Sequence, residues 1–196
     1  MAVDHLKKEL RQRLSNERYE HVLRVAETAK LLAKKYHISI NQAEQAALFH
    51  DIAKCMDKAD LHLALERGHE DARLFSFHHE LWHAPVGAMI ARDEFAVVDE
   101  DVLNAIRFHT TGRAGMSMLE KLIYVADMIE PGRSFPGVEV LRQHAEESLD
   151  TAMEACIYQT VQFLVSKKVP VFPDSIDCYN EHIKKSGSAS NSSRRK

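Results

Sequence analysis

The sequence has few of the residues that interrupt helices. Its 196 residues include only seven glycines and five prolines, which leaves room for long helices. Cysteine is also scarce, because Cys55, Cys156 and Cys178 are the only three and none of them has CxxC spacing. This usage argues against a disulfide framework and indicates reduced thiols, as in a cytosolic protein.

Long apolar runs and a strong charge of one sign are missing too. No apolar stretch approaches the roughly 18 residues that a membrane span needs, and the charged, amphipathic residues 1–14 do not match a secretory signal. A formal net charge of −3 without a long basic stripe argues against a dedicated nucleic-acid binder. We therefore expect a cytoplasmic protein with no membrane and no nucleic-acid partner.

Apolar residues at three- and four-residue steps predict an all-α protein. We expect a single domain over residues 1–185 and, because its composition is Ser-rich, a disordered tail over 186–196. Residues 169–173 should be extended, since proline biases the residue before it away from helix. The predicted helices cover about 15–36, 39–51, 60–67, 80–93, 99–109, 117–130, 148–166 and 174–185.

Histidine is abundant, with 12 residues, and several histidines are on or beside predicted helices together with aspartates. His50 and Asp51 are adjacent, so on a helix they would point about 100° apart, and one cation could hold both only with ligands from other segments. Asp127 occurs in an almost wholly apolar stretch, where a carboxylate is costly unless it is paired or bound to a cation. The candidate ligands are His21, His50, Asp51, His83, His109 and Asp127.

Histidine and carboxylate ligands without cysteine suit Fe, Mn, Co or Zn and argue against a closed structural zinc site. Four protein ligands on a six-coordinate metal leave a position for water, whose pKa the metal lowers, so the chain is a candidate hydrolase. Lys54, His109 with the hydroxyls of Thr110 and Thr111, and Arg133 add cations and hydrogen-bond donors nearby. That combination suits a phosphate ester or anhydride as substrate.

The order His21, His50-Asp51, Asp127 resembles the HD-domain metal phosphohydrolase superfamily. Longer stretches are similar to the bacterial YqeK type of symmetrical bis(5'-nucleosyl)-tetraphosphatase, which cuts diadenosine tetraphosphate into two ADP molecules. The resemblance covers roughly residues 15–180, and the stretches that carry it are 18–25, 47–54, 82–88, 106–112 and 124–133.

The resemblance implies an HD-domain helical bundle that acts on a small-molecule nucleotide, and it leaves a homodimer open. It implies iron as the metal, with Mn, Co or Zn as alternatives, held by His21, His50, Asp51 and Asp127. The implied catalytic residues are Asp51, Lys54, His83 and His109. The implied nucleotide contacts are His21, Asp51, Ile52, Ala53, Lys54, His83, His109, Thr110, Asp127 and Arg133, with Pro170, Val171, Phe172, Pro173 and Asp174 against the nucleoside.

Other interpretations remain open at this stage. The same metal site could serve a nucleotidase or a cyclic-nucleotide phosphodiesterase, and a non-catalytic nucleotide sensor could use it for binding alone. His83 and His109 also have two roles open to them, as donors to phosphate or as ligands of a second cation bridged by Asp51. The resemblance favours the donor role.

Overall fold

The structure is a computed structural model that describes the backbone of residues 3–193 and the side chains of residues 3–184. Within that part of the chain there is no strand, and two short 3-10 helices, Ala72–Ser76 and His79–Leu81, precede the fifth α-helix. None of its helices is long and apolar enough to cross a membrane. The α-helices are α1 (Val3–Arg13), α2 (Asn16–Lys35), α3 (Ile40–Phe49), α4 (Lys58–Arg67), α5 (His83–Asp93), α6 (Glu100–Arg107), α7 (Met118–Ile129), α8 (Val138–Glu147), α9 (Leu149–Ser166) and α10 (Pro173–Ser193).

Side-chain caps mark where the predicted helices begin. A serine or aspartate that accepts a hydrogen bond from the first turn replaces a partner that these backbone N–H groups lack. A complete capping box forms at α7, where Ser117 and Glu120 bond reciprocally to each other's backbone N–H. The other capped starts are Ser15 at α2, Ser39 at α3, Asp99 at α6 and Ser148 at α9.

Helix α7 forms the centre of the bundle. Residues 119–126 of α7 are buried without interruption, because α2, α3 and α6 pack on one part of the helix while α8 and α9 pack on another. Helix α5 packs on α6 and α3, and α10 packs on α9. The buried side chains form a continuous core, so the predicted all-α bundle is confirmed.

The structure differs from the predicted helices at the segment after α3. Helix α3 ends at Phe49, and residues 50–55 form turns, with hydrogen bonds from Ile52 N to Phe49 O and from Lys54 N to Asp51 O. The predicted ligand pair His50-Asp51 is therefore just past a helix end rather than on a continuing helix. Lys54 is held near Asp51 by this turn and not by helical periodicity.

Other differences concern element bounds. Helix α5 begins at His83, three residues later than predicted, because residues 79–81 form a separate 3-10 turn. Helices α1 and α8 are not among the predicted helices. Residues 169–172 are non-helical as predicted, and α10 begins at Pro173, where a missing N–H costs nothing.

The C-terminal segment only partly meets the expectation for it. The backbone of α10 is helical as far as Ser193, which includes most of the segment 186–196 for which the composition predicts disorder. Residues 194–196 lie outside the described part of the chain. The division into a domain over residues 1–185 and a tail stays a prediction.

Candidate metal and phosphate site

The six candidate ligands predicted from the sequence come together inside the bundle. They derive from five places in the chain: α2, the turn after α3, the first residue of α5, the segment after α6, and the last turn of α7. Five of the six side chains are buried, and the sixth, Asp127, is partly exposed. They are His21, His50, Asp51, His83, His109 and Asp127.

Asp51 is the residue that links the cluster. Its Oδ2 atom lies 3.3 Å from His50 Nε2 and 3.7 Å from His21 Nε2. Its Oδ1 atom lies 3.1 Å from His83 Nε2 and 3.7 Å from His109 Nε2. One carboxylate thus faces four imidazoles, which places it between the candidate metal ligands and the candidate phosphate donors.

The imidazoles of His50 and His109 are held by backbone carbonyls at their outer nitrogens. His50 Nδ1 is 2.6 Å from the carbonyl oxygen of Ala47, and His109 Nδ1 is 2.8 Å from that of Ile106. Because a carbonyl oxygen can only accept, each Nδ1 carries the hydrogen and each Nε2 presents its lone pair to the cluster. This is the arrangement found around histidines that bind metals.

His21 is oriented in the same way, by a carboxylate. Its Nδ1 donates to Glu130 Oε1 at 3.0 Å, so its Nε2 also presents a lone pair, 3.0 Å from Asp127 Oδ1. The Nε2 atoms of His21 and His50 are buried and make no hydrogen bond. A lone pair that close to an ionised carboxylate oxygen is repulsive unless a cation lies among them, so these residues fit a metal ion.

Both aspartates of the cluster are ionised at neutral pH. Burial acts to raise the pKa of Asp51, but the neighbouring imidazoles, with His50 foremost, hold that pKa well below its ordinary value. Burial acts in the same direction on Asp127, but the neighbouring His21 imidazole and the charge of Arg133 outweigh it and lower the pKa of Asp127. The cluster is therefore a site of concentrated negative charge that suits a divalent cation.

His83 differs from the other three imidazoles. Its Nε2 lies 3.1 Å from Asp51 Oδ1 and 3.2 Å from His109 Nε2, while its Nδ1 is buried without a hydrogen-bond partner. Burial lowers the pKa of His83 to about 4, so its ring is neutral at neutral pH. One ring nitrogen therefore remains for a ligand outside the cluster.

Among the described side chains, the donor atoms form two overlapping groups in which all atoms lie within 4.8 Å of one another. One group is His21, His50 and Asp127, and the other is His50, Asp51 and His109. Three of the four predicted ligands share the first group, and the fourth, Asp51, is in the second. The second group also contains His109, for which the resemblance implies contact with phosphate. The assignment of individual ligands stays a prediction.

Sequence reasoning missed three charged residues around this cluster. Arg18 donates to Asp51 Oδ2 at 2.8 Å. Glu130, only 1% exposed, accepts from Arg24 Nε at 2.6 Å and from the N–H of Gly132 at 2.5 Å, in addition to its bond from His21. Helical spacing could have revealed the two arginines, since Arg18 and Arg24 are three residues either side of His21 on α2.

The predicted phosphate contacts surround the cluster. Arg133 donates to the carboxylate and, at 2.8 Å, to the backbone carbonyl of Asp127, and Lys54 donates to Glu80 at 2.6 Å. Ile52 and Ala53 have fully buried side chains, so only their backbone in the turn is available to a ligand. The hydroxyl of Thr110 is buried without a partner beside His109.

The segment predicted to contact the nucleoside borders a cavity of about 180 Å³. Phe172 and Asp174 line it together with Thr110 and Pro85, which connects it to the cluster through His109 and α5. The ring of Phe172 is almost fully buried, against the ring of Phe77, so its face is less open for stacking than the sequence suggests. Of the other predicted residues there, Val171 and Pro173 are half-buried and Pro170 is exposed.

A larger cavity, of about 550 Å³, is bounded by α1, α4 and α5. It contains none of the six clustered side chains, and Ile52 is the only predicted site residue in its lining. Apolar residues dominate its wall and charged residues form its rim. It therefore has no evident part in phosphate chemistry.

Comparison of this chain with known protein families and solved structures identifies the class of protein that the fold and the cluster define. The HD domain family matches residues 18–132, and the chain belongs to that family. A crystal structure from Clostridium acetobutylicum, described as a predicted HD superfamily hydrolase involved in NAD metabolism, has a TM-score of 0.90 and 36% sequence identity, and the match covers 94% of this chain and 98% of that one. Membership implies dependence on a divalent metal, for which the His/Asp cluster has the donors.

Within that class the relatives are more specific. The symmetrical bis(5'-nucleosyl)-tetraphosphatase of Bacillus subtilis is 47% identical over 87% of this chain and 92% of its own length. The protein of the same name from Halalkalibacterium halodurans is 45% identical over 86% of this chain and 90% of its own. The chain is therefore a member of the family of symmetrical bis(5'-nucleosyl)-tetraphosphatases.

Proposed function

We propose that this protein hydrolyses dinucleoside tetraphosphates symmetrically, and that it converts diadenosine tetraphosphate into two ADP molecules. The observation that carries the proposal is the buried cluster in which the Nε2 lone pairs of His21 and His50 face two ionised aspartates. It occurs in a chain 47% identical to a symmetrical tetraphosphatase. The protein is thus a hydrolase of phosphoric anhydrides.

We propose iron as the native metal, held by His21, His50, Asp51 and Asp127. Imidazole and carboxylate donors suit Fe, Mn, Co and Zn, and the family resemblance favours iron among them. A divalent cation bound there supplies positive charge to phosphate oxygens and lowers the pKa of a coordinated water molecule. Glu130, through its bond to His21, keeps one of these ligands in the tautomer that binding needs.

The protein groups around the cluster suit a tetraphosphate chain. Arg18, Lys54 and Arg133 are partly exposed beside it, and cations of this kind bind and orient phosphate oxygens. His83 and His109 lie opposite Asp51, and each can donate a hydrogen bond to the phosphates or to the leaving diphosphate once its ring has taken up a proton, such as the one released by water. Asp51 has an oxygen on each side of the cluster, so it can also orient the attacking water.

The reaction consumes one water molecule. The water oxygen bonds to one of the two inner phosphorus atoms, the bond from that phosphorus to the central bridging oxygen breaks, and the bridging oxygen leaves with the other ADP. A buried imidazole such as His109 is placed to transfer the proton released by water. Thr110, whose buried hydroxyl has no partner, borders the cavity beside Phe172, which supports that cavity as the site of one nucleoside.

Product analysis tests the proposal. We expect the metal-loaded protein to convert diadenosine tetraphosphate into ADP alone and, in ¹⁸O-water, to place the label on the terminal phosphate of ADP. The measurement is chromatography with mass spectrometry. Asp51→Ala should abolish turnover and lower the metal content while circular dichroism shows the helices retained, because it removes a ligand rather than core volume.

Other products would identify a different function. AMP together with ATP would mean asymmetric cleavage and would contradict the proposal. Turnover of nucleoside monophosphates or cyclic nucleotides, with none of the dinucleotide, would indicate another phosphohydrolase. Tight binding of the dinucleotide without turnover by iron-loaded protein would indicate a sensor.

We propose three further properties of this protein. The fold and the small-molecule substrate of the relatives fit an enzyme of the cytoplasm that binds no nucleic acid. A homodimer is also proposed, from the resemblance alone. Cell fractionation and light scattering of the purified protein measure the first and the last of these.

A further inference from the structure

A second cavity borders the cluster on the side of α4. It has a volume of about 160 Å³ and is lined by Lys54, Met56, Asp57, Lys58, Leu61, His79, Glu80 and His83. This second cavity shares His83 with the cluster. The 3-10 helix His79–Leu81 separates it from the cavity beside Phe172, since Glu80 lines the second cavity and Leu81 lines the cavity beside Phe172. The two cavities therefore lie on different sides of one short element next to the metal ligands.

The inner wall of this second cavity contains His83, which has a ring nitrogen without a hydrogen-bond partner. His83 is 2% exposed, and its Nε2 faces Asp51 while its Nδ1 has no hydrogen-bond partner. A buried polar atom without a partner is costly. Because Nε2 donates to Asp51, Nδ1 can only accept, so a donor in the cavity, such as a nucleotide hydroxyl or a water molecule bound to phosphate, would provide the missing partner.

The opposite wall favours an anion. Helix α4 begins at Lys58, and its N-cap, Asp57, makes no side-chain hydrogen bond to the first turn. The N–H groups of the first turn, which the Asp57 side chain does not cap, and the helix dipole attract phosphate, while the Asp57 carboxylate in the same lining opposes it. The ammonium group of Lys58 adds to that attraction, and Lys54 approaches from the turn after Asp51.

The floor and the rim suit the rest of a nucleotide. Met56 and Leu61 offer apolar surface, and the ring of His79, which lines the cavity, is stacked on the ring of His78 with centroids 4.5 Å apart. Flat rings and apolar side chains are what nucleobases stack on. The volume of about 160 Å³ suits the phosphate end, with the nucleoside extending over the rim.

We propose that this cavity binds the second nucleoside diphosphate half of the substrate, opposite the half bound beside Phe172. The proposal rests on the proposed function, because a dinucleoside tetraphosphate has two equivalent halves and its central bridge must lie at the metal. The cleavage then occurs at the centre because one half occupies each cavity. Lys58, His79 and the first turn of α4 become specificity determinants.

Glu80 has an opposing role in this arrangement. It pairs with Lys54 at 2.6 Å, so its carboxylate competes with an incoming phosphate for the same ammonium group. Removal of the Glu80 charge should therefore strengthen substrate binding, while removal of the Lys58 charge should weaken it. A merely structural role for these two exposed side chains would not produce changes of opposite sign.

The experiment compares Lys58→Ala and Glu80→Gln with Lys34→Ala, a control at an exposed lysine near the far end of α2. We expect KM for diadenosine tetraphosphate to rise about tenfold in Lys58→Ala, the effect of losing one charge-assisted contact, and to fall in Glu80→Gln. The kcat should stay within about twofold of wild type, and Lys34→Ala should change neither constant.

A binding measurement on the metal-loaded protein separates this proposal from the proposed function. Equilibrium dialysis with ADP should find two sites per chain in the wild type, and Lys58→Ala should weaken one of them about tenfold. Equal KM and equal ADP affinities in Lys58→Ala and Lys34→Ala, or a single ADP site in the wild type, would overturn the second site. A wild type that binds two ADP molecules but cleaves no dinucleotide would overturn the function and leave the second site standing.

Discussion

At the scale of single residues, the orientation of His21 depends on one buried carboxylate. Glu130 receives hydrogen bonds from His21, Arg24 and the Gly132 N–H, and burial alone would raise its pKa, but the Arg24 hydrogen bond holds that pKa low. Gly132 allows this packing, because a Cβ there would lie 2.6 Å from the Arg24 guanidinium. The carboxylate is thus fixed and ionised where it can set the tautomer of His21, a proposed metal ligand.

We therefore expect Glu130→Gln to weaken metal binding about 10- to 100-fold, the usual effect of removing an outer partner of a ligating histidine. The neutral amide cannot accept from all three donors, so His21 loses its fixed orientation. Metal titration by calorimetry measures the effect.

Glu120 provides a matched control for this variant. It is equally buried on α7 and accepts from Arg113 and from the Ser117 N–H, but it is far from the cluster. Glu120→Gln should reduce stability without changing metal affinity. The same metal affinity in both variants would show that Glu130 has no positioning role.

At the scale of elements, α7 positions the cluster from the middle of the bundle. Asp127 is in its last turn, and its start is set by the capping box of Ser117 and Glu120. Because the rest of the helix is buried on nearly all sides, the cap contributes to stability and the packing determines where Asp127 lies. The two contributions can be separated by mutation.

Ser117→Ala should lower the free energy of unfolding by about 1 kcal/mol, the usual cost of losing an N-cap. For a chain of this size that corresponds to a fall of roughly 2–4 °C in Tm, with kcat and metal affinity unchanged at 25 °C. Scanning calorimetry measures Tm, steady-state kinetics measures kcat, and metal titration measures the affinity. Ser39→Ala is the control, since Ser39 accepts only a 3.4 Å bond from Gln42 N, while the Gln42 side chain donates to Asp99, and the loss of Ser39 should cost less. An equal cost would contradict the role of the capping box.

At the scale of the whole molecule, the proposed metal site joins parts of the chain that are distant in sequence. His21 is on α2, His50 and Asp51 follow α3, and Asp127 is on α7, so a cation bound to all of them links three helices. The unfolded chain cannot hold the same ligands together. Metal binding should therefore stabilise the folded protein by mass action.

Removal of the metal with a chelator should lower Tm. At a free metal concentration 100 times Kd the loss is about 2.7 kcal/mol, or roughly 5–10 °C for a chain of this length. Differential scanning calorimetry with and without chelator measures it. Asp127→Asn should show little dependence of Tm on metal, and a wild type whose Tm ignores the chelator would contradict a metal that links the three helices.

The local features of this protein could be predicted from its sequence. Serine caps, apolar periodicity and proline act over a few residues, so the starts of α2, α3, α7 and α9 and the extended segment before α10 follow from neighbouring residues. The identities of the clustered histidines and aspartates were also evident, because an acid such as Asp127 within an apolar stretch needs a partner. Helices α1 and α8 were not predicted, because the interpretation rested on the periodic patterns of the other helices.

Contacts between distant segments were decided only by the tertiary structure. Glu130 orients His21 across 109 positions of sequence, and no local pattern reports which oxygen an imidazole nitrogen will face. The end of α3 at Phe49, which turns His50 and Asp51 inward, and the cavities on either side of residues 79–81 likewise depend on how helices pack. Sequence determined the residue types that can bind a metal and phosphates, because their chemistry is intrinsic. Their directions, partners and burial came from packing, because these depend on long-range contacts.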